Sequence, residues 1–131
     1  MIVLPVTLAA AAAAAVLNLW LGIRIGALRT ALQISVGDGG SEALQRRMRA
    51  QLNFVENTAF VLALIAAVEL AGRGSGWLSL VAAAYFLGRV AHAFGMDGGK
   101  AQIGRMIGTI VTMLVQLGLA VVAVLVVMGV M

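Results

Sequence analysis

Apolar residues run along this chain in four blocks separated by short polar punctuation. Residues 2–23 carry no charge, and neither do residues 106–131. At about 1.5 Å of rise per residue, the first block would reach roughly 33 Å as a helix, enough for a hydrocarbon layer of about 30 Å. Between them lie two weaker blocks: residues 51–70, interrupted by Glu56 and Glu69, and residues 74–94, interrupted by Arg89 and His92. The pattern predicts helices over about 2–32, 42–71, 75–95 and 101–130. The connections are brief. SVGDGGSE at 35–42 holds three glycines and places Ser41 as an N-cap for helix two. AGRGSG at 71–76 and GMDGGK at 95–100 read as tight turns. Connections this short make neighbouring helices antiparallel, which gives an up-down bundle and a single domain over residues 1–131.

Composition changes the solvent in which this bundle is expected to fold. Hydrophobic residues make up 63% of the chain and charged residues 11%, so most helix faces are apolar, as lipid requires and water does not tolerate. The expected class is an all-α integral membrane protein with four transmembrane helices. The alanine run in helix one resembles a secretory h-region, but it lacks a basic leader and its apolar stretch continues to Ile23, so it reads as a mature helix. Cysteine is absent, which excludes disulfides, thiolate metal sites and a cysteine nucleophile.

Net charge is +4, and its distribution says more than its sum. Arg24, Arg29, Arg46, Arg47 and Arg49 flank the first connection, whereas Arg89, Lys100 and Arg105 flank the third. Basic residues mark cytoplasmic loops, so these two connections are expected in the cytoplasm and both termini on the other side. Nucleic acid is not expected as a partner, because the arginines are spread over helix ends rather than interleaved with aromatics on one soluble face. The charges inside helices two and three need protein or water around them, and self-association would supply that shelter. Gly104 and Gly108, at i and i+4, allow close helix approach.

The segment RMRAQLNFVEN at 47–57 carries the candidate chemistry. Arg49, Asn53 and Glu56 fall at i, i+4 and i+7 and so line one face of helix two. A guanidinium, a carboxamide and a carboxylate at membrane depth either pair with one another, locking helices together, or face a ligand bearing both signs of charge. Ionisable groups inside a membrane are functional by default, so the ligand site is the better of the two readings. Arg89 and His92 share a face one turn apart in helix three. A lone histidine with no second His or Cys at ligand spacing does not make a metal site. By position alone, Arg105 and Arg24 read as positive-side anchors.

Taken together, RAQLNFVEN, GRVAHAFGM at 88–96 and the following Arg105 resemble the MAPEG family, the membrane-associated proteins in eicosanoid and glutathione metabolism, and in particular its bacterial members. The resemblance implies a homotrimer of four-helix protomers in a bacterial inner membrane, with glutathione as co-substrate bound between subunits near the cytoplasmic face. It assigns Arg49, Asn53, Glu56, Arg89 and His92 to glutathione contacts, Arg105 to stabilising the thiolate, and Arg24, more loosely, to a contribution from the neighbouring subunit. Met96 and Asn57 stand where some members carry tyrosines, and Leu52 where the prostaglandin-forming branch carries a basic residue, which implies a weaker or differently shaped glutathione site.

The activity implied is a membrane-bound glutathione transferase or peroxidase acting on hydrophobic electrophiles or lipid hydroperoxides, with membrane lipid as its surroundings. The chemistry of the residues agrees: glutathione carries two carboxylates, an ammonium and a thiol, for which several arginines, Glu56 and Asn53 are complementary. The alternative is a non-catalytic lipid-binding protein of the same fold. A small multidrug transporter, also of four helices, is set aside because it needs a carboxylate in helix one, where this chain has none.

Overall fold

A computed structural model describes every residue, Met1–Met131, and is helical throughout. Helix α1 runs Pro5–Leu32, α2 Glu42–Leu70, α3 Gly76–Met96 and α4 Ile103–Val127, with a 3-10 turn at Gly99–Gln102 leading into α4. Helix α1 starts at Pro5 rather than at residue 2, because proline at the first position needs no hydrogen-bond acceptor and presets φ. Helix α4 stops at Val127 rather than at 130, where Gly129 takes a left-handed φ of 71° and turns the chain out of the helix. Ser41 caps α2 as expected, its hydroxyl accepting from Leu44 N at 3.3 Å.

Each helix is long and apolar enough to cross a membrane. Leu8, Val16, Leu19 and Ile23 on α1, Leu80 and Leu87 on α3, and Met113, Leu114 and Leu117 on α4 all point outward. In water this would be an aggregation surface; against lipid tails it is the surface a bundle should present. Helices α2 and α3 form the middle of the molecule. Helix α1 packs on both and α4 packs on both, while α1 and α4 do not meet. The apolar core fills the half near the termini, with Val61, Ile65 and Val68 of α2 against Leu78, Ala82 and Tyr85 of α3 and Leu119 of α4. A smaller cluster of Ala14, Leu21, Phe54 and Ala93 continues it toward the other end.

Helices α3 and α4 approach through a row of glycines. A Cβ at Gly104 would run into the Ala91 carbonyl, one at Gly108 into the Gly88 carbonyl, and one at Gly95 into the Arg105 amide. A Cβ at Gly88 would stand 2.9 Å from Val111 Cγ1. The close approach expected of Gly104 and Gly108 is therefore spent inside one chain, between α3 and α4.

The two ends of the bundle are tied by carboxylates. Helix α1 has no side-chain cap of its own. Glu69, near the end of α2, supplies one: its oxygens accept from Val6 N at 2.9 Å, Thr7 N at 2.8 Å and the Thr7 hydroxyl at 2.7 Å. This satisfies backbone donors that the first turn of a helix leaves unpaired. At the opposite end, Asp38 accepts from Gly40 N at 2.8 Å and Gln45 Nε2 at 2.7 Å, which shapes the first loop and holds its carboxyl below the ordinary range.

The glycine row makes a paired prediction. Gly108→Ala places a methyl against backbone that cannot swing aside and is expected to destabilise the bundle by about 1–3 kcal/mol. Gly118→Ala in the same helix meets nothing within 4 Å and is expected to stay within about 0.5 kcal/mol of wild type. Unfolding of detergent-solubilised protein, followed by near-ultraviolet circular dichroism, checks both. Equal transitions for the two variants would contradict the close α3–α4 contact.

Candidate functional site

Toward the end that holds the 33–41 loop, three helix faces converge. Helix α2 contributes Arg49, Leu52, Asn53 and Glu56, α3 contributes His92 and Met96, and α4 contributes Arg105 and Thr109 to a groove of about 350 Å³. Periodicity accounts for the α2 face, since positions 49, 53 and 56 lie on one stripe. The glycine row accounts for the rest: with Gly95 against Arg105 and Gly108 against His92, α4 lies close enough for Arg105 and His92 to line the same hollow.

Arg49 and Glu56 share this groove but do not pair. The ion pairs of the chain are Arg24 with Asp97, Arg46 with Glu42 and Arg47 with Asp97. Seven residues of helix separate Arg49 from Glu56 by about 10 Å along the axis, beyond the three- or four-residue spacing at which helix neighbours pair readily. The helix-locking ion pair suggested by spacing alone is therefore absent. Both side chains lie exposed on the rim of the groove, as does Arg105, which makes no ion pair. The groove thus presents two free guanidiniums and one free carboxylate.

Behind the rim the polar groups are tied together. Arg89, 2% exposed, donates from Nη2 to Asn53 Oδ1 at 2.7 Å and from Nη1 to Thr112 Oγ1 at 3.1 Å, and its Nη2 also lies 3.4 Å from His92 Nδ1. No carboxylate faces it, and its Nε has no partner. Arg89 is thus brought to the groove residues without lining the groove. Asn57 points elsewhere: its Oδ1 accepts from Gln116 Nε2 at 2.9 Å, and its Nδ2 donates to Asn53 O at 2.7 Å. Of the three family departures, Leu52 and Met96 do line the groove and give it an apolar wall.

Arg24 stands apart. Its guanidinium bonds Asp97 and lies 4.9 Å from the Trp20 ring centre and 5.2 Å from that of Phe94. Arg47 reaches the same carboxylate at 3.2 Å and donates to Arg24 O at 2.9 Å. Asp97 thereby pins the ends of α1 and α2 to the end of α3.

Sequence reasoning missed Thr109, Thr112, Gln116, Asp97 and the capping role of Glu69. A signal for two of them existed: Gly104, Gly108, Thr112 and Gln116 recur every four residues, so the hydroxyl and amide share the glycine stripe that had to face protein. A second hollow, of about 850 Å³, opens between α1 and α2. It shares Arg49 and Leu52 with the groove and adds Ile25, Met48 and Val55 as apolar wall and Arg29, Asp38, Gln45 and Gln51 as polar lining.

The MAPEG family model matches residues 7–125, which reaches into all four helices and includes every groove residue. The chain belongs to the MAPEG family. No curated protein matches it. Family and four spans together make it an integral membrane protein. The family includes glutathione transferases and peroxidases alongside other members, so membership leaves the particular activity to be argued from the groove.

Proposed function

We propose that this MAPEG protein is a glutathione-dependent transferase or peroxidase that acts on lipophilic electrophiles or lipid hydroperoxides held in the bilayer. The observation that carries the reading is the convergence of Arg49, Asn53, Glu56, His92 and Arg105 on one groove. Glutathione needs a carboxylate for its ammonium, cations and neutral donors for its two carboxylates, and a cation near its sulfur. Glu56 takes the first role, Arg49 with Asn53 and His92 the second, and Arg105 the third. The thiol proton leaves to solvent, the thiolate stabilised by Arg105 attacks the electrophile, and the electron pair of the broken bond leaves with the displaced group. The apolar wall of Ile25, Met48, Leu52 and Val55 in the second hollow gives a lipophilic partner a place beside the polar groove.

The exposed rim supports assembly as a homotrimer. Arg49, Glu56 and Arg105 cannot face hydrocarbon, and neighbouring copies would cover them. The basic connections would lie in the cytoplasm of a bacterial inner-membrane protein, with both termini outside. Cross-linking in mild detergent is expected to trap a three-chain species; a monomer alone would contradict this arrangement. A second reading, a non-catalytic lipid-binding member, draws on the apolar wall of Leu52 and Met96. Glutathione titration of the purified protein, with thiolate absorbance followed, separates the two.

Two substitutions test the assigned roles. Glu56→Gln removes the negative charge that pairs with the ammonium and is expected to weaken glutathione by roughly 1.5–3 kcal/mol while the oligomer persists. Loss of the oligomer with affinity unchanged would make Glu56 structural. Lowering a thiol from about 8.5 to about 6.5 needs about 2.7 kcal/mol of preference for the thiolate, within reach of one desolvated guanidinium. Arg105→Ala is expected to abolish the thiolate signal at neutral pH and to cut turnover while glutathione still binds, and Arg105→Lys to keep part of both. Wild-type turnover in Arg105→Ala would reduce Arg105 to an anchor.

A further inference from the structure

We propose that Arg89 is a positioning residue: a buried guanidinium that never reaches the ligand but decides which atoms Asn53 and His92 offer to the groove. The inference rests, for the identity of the ligand, on the glutathione reading above.

The geometry begins with what arginine cannot do. It has five donors and no acceptor, so every atom it touches must accept. Asn53 meets Arg89 through Oδ1 at 2.7 Å, which fixes the amide orientation and turns Nδ2 away. His92 meets it through Nδ1 at 3.4 Å, so that nitrogen carries the lone pair and the ring proton belongs on Nε2. Neither Asn53 Nδ2 nor His92 Nε2 has a protein partner, and the one buried polar side-chain atom left unpaired is Arg89 Nε, so both of these donors reach open space. Both residues line the groove. Two neutral side chains that could each have presented an acceptor are thus held as donors, suited to a carboxylate.

Thr112 completes the mount. Its hydroxyl spends its single proton on Gly108 O at 2.8 Å and accepts from Arg89 Nη1 at 3.1 Å, so the fork is held from α4 as well as from α2. The arrangement is hard to explain as a stabilising device. Arg89 is 2% exposed, faces no carboxylate and leaves Nε unpaired, and a buried charge without a counter-ion destabilises a fold. A group kept at that disadvantage, with its donors directed at two groove residues, fits a role in binding.

His92 is the only histidine in the chain, so protein labelled with nitrogen-15 histidine and purified without a polyhistidine tag gives the nitrogen resonances of one imidazole. Wild type is expected to show a protonated Nε2 and a bare Nδ1. Arg89→Met is expected to give a mixture of tautomers, to bind glutathione about tenfold more weakly and to melt no lower than wild type. Glutamine places an amide nitrogen near the position of imidazole Nε2 and asparagine near that of Nδ1, so His92→Gln should hold glutathione within about threefold of wild type, whereas His92→Asn should lose about tenfold. If Arg89→Met does not fold, the near-isosteric Thr112→Val loosens the fork and is expected to shift the tautomer in the same direction. A protonated Nδ1 in wild type, or an imidazole and an affinity both unchanged in Arg89→Met, overturns the proposal. If wild type binds no glutathione yet the tautomer depends on Arg89, the glutathione reading fails and the positioning role stands.

Discussion

The close crossing of α3 and α4 is the constraint on which the rest of this structure depends. Gly95, Gly104 and Gly108 leave no room for a side chain of their own against the facing backbone, and Gly88 makes room for Val111. In lipid there is little hydrophobic gain from bringing two apolar helices together, because the tails are as apolar as leucine, and small residues that permit backbone contact supply the association instead. That crossing places Arg105 beside the end of α3 and Thr112 behind Arg89. Without it, Arg105 would be one more basic residue at a helix end.

Given the crossing, the polar side chains have only one another. Thr58 bonds Tyr85 at 2.7 Å, Asn57 bonds Gln116, and Arg89 bonds Asn53 and Thr112, which makes a polar strip through the centre of an otherwise apolar bundle. Each pair removes a group from contact with hydrocarbon, where an unpaired amide or hydroxyl costs several kcal/mol. Among the buried side-chain nitrogens and oxygens of the chain, only Arg89 Nε has no hydrogen-bond partner. The same low polarity that enforces the pairing strengthens whatever charge the groove meets.

The ends of the bundle follow a related logic. Glu69 caps α1 from α2, and Asp97 gathers Arg24 and Arg47, so each end has a carboxylate joining elements distant in sequence. Such ties limit sliding between helices, and sliding would separate α2 from the α3–α4 pair that builds the groove. Arg49, Glu56 and Arg105 on the groove rim find no partner in the chain, and neither do Arg73 and Lys100 in the connections, although Asp97 draws two arginines to itself.

Much of this was legible in the residues alone, because the bilayer writes its demands directly into the chain. An apolar run must be long enough to span, a backbone in lipid must satisfy its own hydrogen bonds, which in continuous apolar runs of this length means helix, and a charge inside a span must have a reason, so the four helices, their order and the face bearing Arg49, Asn53 and Glu56 could be read from spacing. What spacing could not decide is which residues meet. A periodic stripe shows that Gly104, Gly108, Thr112 and Gln116 face one way but not what they face, and only the packed bundle turns them toward α3. Seven residues of helix put Arg49 and Glu56 on one side, yet the two make no ion pair. The placement of Arg24 on Asp97, 73 residues later, and of Glu69 on Thr7, 62 residues earlier, depends on contacts between helices. Local pattern is set by one helix and its solvent, whereas contact is set by how two surfaces interlock.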